Sequence, residues 1–148
     1  MRYLIFSLIM PFAIQAYGQS SFYARVSTMW FAGNSQGVLD IANQRLAHNS
    51  NDLAGLLLKF EWHGEHLQFD GMDCTMSQIL AVGATYPGTN FANAYPSLRD
   101  GYEMLKPILA NYPLDDYAKD ILKTNIPGRR LSVDAALKAL QDDGYFQE

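Results

Sequence analysis

The sequence predicts an all-α chain of about seven helices, and the spacing of its apolar residues and the turn residues between them carry that prediction. Val38, Ile41, Ala42 and Leu46 recur at the three- and four-residue intervals of one helix face. Leu53, Leu56, Leu57, Phe60, Gly64 and Leu67 repeat the pattern, as do Met72, Met76, Ile79, Leu80 and Gly83. A strand would alternate at every second residue instead. Between these stripes lie clusters that turn a chain: Gly33-Asn34, Asn49-Ser50-Asn51-Asp52 and Asp70-Gly71.

The first residues read as an address. Arg2 precedes an apolar run from Tyr3 to Ile14, and Ala16-Tyr17-Gly18 is a small-x-small site. Residues 1–18 are therefore expected to be a secretory signal peptide cut before Gln19. The run is shorter than the roughly 20 residues that span a membrane. Residues 19–148 are then one exported domain, periplasmic, in the cell envelope or extracellular, with no membrane span after cleavage.

Within that domain the stripes predict helices at about 21–32, 36–48, 53–68 and 72–83, paired as two antiparallel hairpins. Asp52 and its neighbours offer side-chain oxygens to cap the helix that starts at Leu53. Tyr86-Pro87-Gly88-Thr89-Asn90 has turn chemistry, so residues 84–96 read as a loop. Ser97 is the expected cap of a helix to Asn111, kinked or broken at Pro107, which lacks an amide proton. A further helix from Leu114 should stop at Ile126-Pro127-Gly128. Ser132 should cap the last helix and Gly144 close it. Residues 97–143 thus carry the C-terminal helices.

The segment 22–83 also carries a repeat. A shift of about 34 residues takes Leu46-Ala47 to Leu80-Ala81 and Val38 to Met72. Together with the Gly33-Asn34 turn and Asn51-Asp52 at the end of the unit, this segment resembles divergent tetratricopeptide repeats. The positions where that family holds small residues are occupied by Val26, Val38 and Arg45, then by Phe60, Met72 and Ile79, and Ser50 stands where proline is usual. The resemblance implies stacked antiparallel hairpins in a short array, with an irregular helical bundle as the alternative. It also implies protein or peptide binding without chemistry, and it transfers no binding residue.

Composition narrows the function further. The formal charge of −4 without a basic stripe argues against nucleic acid. Cys74, the single cysteine, cannot form an internal disulfide and is expected to be a small buried apolar residue. Arg129-Arg130 reads as an exposed loop pair, and Asp142-Asp143 as solvated charge. Trp30, Phe31, Trp62 and Tyr86 are the expected partner-binding face, because such rings join apolar area to a polar tip, with acidic residues around them. On one unbroken helix, His63, His66, Asp70 and Cys74 would form a stripe of donors that zinc accepts. A turn at Asp70-Gly71 separates them, and neither a His-Glu-x-x-His nor a Cys-x-x-Cys motif occurs, so no metal or other cofactor is expected. No Gly-x-Ser-x-Gly elbow is present, and no catalytic residue is assigned. The expected function is an exported, non-enzymatic interaction module. The alternatives are a small metal-dependent or hydrolytic enzyme using His63, His66 and Cys74, and a structural subunit of an oligomer.

Overall fold

A computed structural model describes residues 21–111 and 116–146. The predicted signal segment, Gln19 and the helix start at Leu114 lie outside these residues. The described residues form six helices and no strand: α1 (Phe22–Phe31), α2 (Ser35–His48), α3 (Leu53–Glu65), α4 (Phe69–Gly83), α5 (Thr89–Asn111) and α6 (Asp116–Asp142). The all-α class holds, and the helices pack as a bundle.

The first three helices are bounded by local chemistry. Ser21 Oγ accepts from the Ala24 amide, 3.1 Å away, at the start of α1. Gly33, at φ 79°, ends it, and the Asn34 amide reaches back to the Met29 carbonyl over 2.9 Å. This is a helix C-terminus closed by a left-handed residue. Asn34 then caps α2 through the Gly37 amide at 3.0 Å. Phe22 at the start of α1 meets Arg45 near the end of α2, and Met29 crowds Gly37, so the two helices run antiparallel.

α3 is the centre of the bundle. Leu53 to Leu58, Phe60 and Glu61 are all buried, and α3 packs against α2, α4 and α6. Its C-terminus corrects the expected turn at Asp70-Gly71. The chain turns earlier, at Leu67, whose φ is 59°, and the Gln68 amide bonds the His63 carbonyl at 2.9 Å. A left-handed leucine costs roughly 1–2 kcal/mol, offset here by packing of its side chain against the core. Gly71 does not turn the chain. It sits in the first turns of α4, where a Cβ would collide with the His63 ring. Asp70 lies at the positive N-terminal end of α4.

The second half departs more from expectation. α5 begins at Thr89, eight residues before the expected cap Ser97, and runs through both Pro96 and Pro107. Its cap is remote: Asp143 Oδ1 accepts from the Asn90 amide at 2.9 Å and Oδ2 from the Phe91 amide at 3.0 Å. α6 merges the two helices expected on either side of Pro127-Gly128. Ser132 is interior to α6 and bonds the Gly128 carbonyl at 3.0 Å. Burial of Leu122, Val133, Leu137 and Leu140 holds α6 together despite the missing proline amide. Pro127 is exposed, so Pro127→Ala should raise stability by about 1–2 kcal/mol in urea unfolding. An unchanged midpoint would show that Pro127 carries no net cost within α6.

α6 also closes the bundle. It packs on α5 and α3 and reaches α1, where Tyr23 donates to Asp134 at 2.8 Å. Gly144, at φ 80°, ends α6, with the Tyr145 amide on the Leu140 carbonyl at 3.0 Å. The chain then returns to the α1–α3 corner, where Phe146 stacks on Phe22 at 4.4 Å. Among the described residues no helix is long and apolar enough to cross a membrane.

Candidate functional site: a groove between the first two helices

A groove of ≈ 590 Å³ lies between α1 and α2. Val26, Met29 and Ile41 line it with apolar surface, and Arg25, Gln44 and His48 line it with polar groups. Arg45 and Asp52 also line it. Arg45 Nε lies 2.7 Å from Asp52 Oδ2 and Nη2 lies 3.0 Å from Oδ1, a two-pronged ion pair. The guanidinium also lies against the Phe22–Phe146 stack, 4.7 Å from one ring centroid and 5.2 Å from the other.

Asp52 is the hub of this corner. The Gly55 amide donates to it at 2.8 Å, capping α3, and the Tyr145 hydroxyl donates at 2.8 Å. Burial alone would raise its pKa, but the bonds from Arg45, Gly55 and Tyr145 outweigh burial and hold the carboxyl below its ordinary value. Asp52 therefore stays ionised and committed to Arg45. Among the described residues it is the only carboxylate lining the groove, where Arg25 adds a positive charge and Gln44, His48 and Asn49 add polar groups.

Of the aromatic residues expected to form one face, Trp30 and Trp62 border one cleft and Tyr86 lies apart from them. Trp30 is only 3 % exposed, and its Nε1 donates to Glu65 at 3.1 Å. Arg130 lies over the Trp30 ring at 5.6 Å and also binds Glu65. Trp62 shares a cleft with Trp30, but the cleft has an interior volume of ≈ 0 Å³. Phe31 is 64 % exposed. Tyr86 packs elsewhere, edge-on to Phe91 and Tyr145 at 5.4 and 5.7 Å. Of the acidic residues near Trp30, Glu65 is engaged by the Trp30 indole and by Arg130.

The four weak candidates for metal donors, His63, His66, Asp70 and Cys74, do not line one common hollow. His66 stacks on Trp62 at 4.0 Å, and its Nδ1 lies 2.8 Å from the Trp62 carbonyl. His63 Nδ1 lies 2.7 Å from Gln68 Oε1. His63 and Cys74 both line a hollow of ≈ 330 Å³, whereas Asp70 and His66 do not. Cys74 is exposed, contrary to expectation, because Met72, Thr75, Met76 and Ile79 take the inward face of α4. Among the described residues no three His, Cys, Asp or Glu side chains are placed to share a metal ion.

Arg129 also departs from its expected exposure. It lies inside α6, 8 % exposed, with Nε 3.3 Å from Glu61 Oε2 and Nη1 2.9 Å from the Leu122 carbonyl. The groove residues were detectable in part, since Arg25 and Met29, and Arg45 and His48, are spaced to share helix faces. That those faces look at each other across an opening is a tertiary fact. The chain matches no protein-family model, no curated protein and no solved structure.

Proposed function

We propose that residues 19–148 form an exported, non-enzymatic helical module of divergent tetratricopeptide type that binds a partner protein. The docking site is the α1–α2 groove, and its occupant is an amphipathic segment with acidic side chains. The observation that carries this reading is the pairing of apolar Val26, Met29 and Ile41 with Arg25 and His48 in one opening of ≈ 590 Å³. The apolar residues take the buried side chains of the segment. Arg25 selects its flanking acidic charge and speeds its approach. Export is supported by the apolar, positively started segment at residues 2–18.

Selection of random peptides on the purified protein tests the site. The enriched peptides should combine one or two large apolar residues with Asp or Glu. Arg25→Glu with His48→Glu should weaken them by about tenfold or more, and added salt should weaken them too. Peptides without acidic bias, or affinities unchanged in the double variant, would place the binding face elsewhere.

A further inference from the structure

One end of the α1–α2 groove is held by side chains that do not line it. Phe22, Arg45 and Asp52 belong to the lining, and Tyr145 and Phe146 do not. Phe146 stacks on Phe22 with ring centroids 4.4 Å apart. The Arg45 guanidinium lies 5.2 Å from the Phe146 ring and 6.0 Å from that of Tyr145. The Tyr145 hydroxyl donates to Asp52 Oδ1 at 2.8 Å and accepts from the Leu53 amide at 3.0 Å. Two adjacent residues thus touch the start of α1, the last turn of α2 and the cap of α3.

These contacts come from a short hook. Gly144, at φ 80°, turns the chain out of α6, and Tyr145 and Phe146 beyond it are half-buried. A segment held by a few partly exposed contacts opens at less cost than a bundle core. α1 has separate anchors further along. Tyr23 and Ser27 donate to Asp134 on α6 at 2.8 and 3.4 Å, and Trp30 is buried with its indole on Glu65. Release of the hook therefore leaves α1 in place. What it frees is the Phe22 ring and the Arg45 side chain, both at one end of the groove.

We propose that residues 144–146 are a latch on the groove. Docked, they hold Phe22 and Arg45 in the arrangement that a partner meets, and undocking weakens the partner without unfolding the bundle. Tyr145 and Phe146 are positioning residues in this scheme, since they act through Phe22, Arg45 and Asp52. The inference rests on the groove reading above and adds its regulation. Occupancy of the groove and docking of the latch favour each other by the same factor, because the coupling of two equilibria is reciprocal.

Calorimetry with an acidic peptide enriched on the native protein tests the latch. Phe146→Ala should weaken that peptide by about tenfold, because two freed side chains must be ordered on binding. Phe146→Trp retains a stacking ring and should bind within about threefold of the native protein. Should Phe146→Ala fail to fold, Tyr145→Phe keeps the ring, removes only the bonds to Asp52 and Leu53, and should weaken the peptide by about threefold. Hydrogen exchange adds a readout that a merely structural role would not move. Bound peptide should slow exchange of the Tyr145 amide, which bonds the Leu140 carbonyl outside the groove, and Phe146→Ala should cancel most of that slowing. A peptide weakened by Arg25→Glu but by neither latch variant, or a Tyr145 amide indifferent to bound peptide, would overturn the latch and leave the groove reading standing. Failure of every acidic peptide to bind, or binding unaffected by Arg25→Glu, would overturn both.

Discussion

Between pH 5 and pH 8 the folded state should lose on the order of 3 kcal/mol of stability, and Glu61→Gln should remove most of that loss. Glu61 is 0 % exposed. One carboxyl oxygen accepts a single bond of 3.3 Å from Arg129, and the other accepts none. Burial raises its pKa from 4.5 to about 8, and burial also lowers that of Arg129. Both shifts point the same way: loss of water outweighs the attraction between the two charges. In the unfolded chain Glu61 gives up its proton near its ordinary value. In the folded protein it keeps the proton to about pH 8. The folded state thus binds more protons across that window, so a rise in pH favours unfolding. Below the ordinary value the effect is absent, and above the raised value it is complete. Glutamine keeps the shape and cannot ionise. Urea midpoints at pH 5 and pH 8 for both proteins measure the difference. Equal slopes in the two would mean that Glu61 is ionised in the fold.

The second large effect is expected at Asp52. Asp52→Ala should destabilise the protein by about 3 kcal/mol or more. It removes the cap of α3, worth about 1 kcal/mol, and takes from the partly buried Arg45 guanidinium the carboxylate that it holds at 2.7 and 3.0 Å. The Tyr145 hydroxyl loses its acceptor as well. Asp52→Asn retains a capping oxygen and should fall between the two. The pH dependence is opposite in sense to that of Glu61. A carboxyl held below its ordinary pKa of 3.8 contributes stability that is present above that value and is lost as pH falls through the lower folded one. Acid unfolding of the native protein should show this loss below about pH 4, and Asp52→Asn should lack it. Denaturant melts of the three proteins at pH 7 and pH 3 distinguish capping from charge.

The legible part of the fold is the part whose boundaries are local. Gly33-Asn34 and Asp52 each cap through atoms three to five residues away, so α1, α2 and the start of α3 follow from the sequence. α5 does not, because its cap Asp143 is more than fifty residues distant. Pro127 carries a local signal that the tertiary structure overrules, since α6 gains enough burial to continue through it. Asp70-Gly71 has turn chemistry, yet the chain turns at a leucine, because Gly71 is needed where the His63 ring presses on α4. The site was legible only as residue types. Trp30 has the composition of an interface anchor, but Glu65, thirty-five residues on, ties its indole inside the bundle. Arg129 looks like surface charge, and its burial depends on Glu61 and on the missing side chain of Gly64.

The remote caps bear on the order in which the molecule assembles. Asp143 supplies the N-terminal partners of α5, and Tyr145 steadies both Asp52 and the first amide of α3. A ribosome delivers residues 143–146 after every helix they serve. While the chain is being made, the central and fifth helices lack partners that hold them in the finished molecule. Their packing is completed only when this stretch of chain has emerged and folded back. Until then α3 lacks the Tyr145 hydroxyl on its first amide, and α5 lacks the Asp143 carboxylate at its N-terminus.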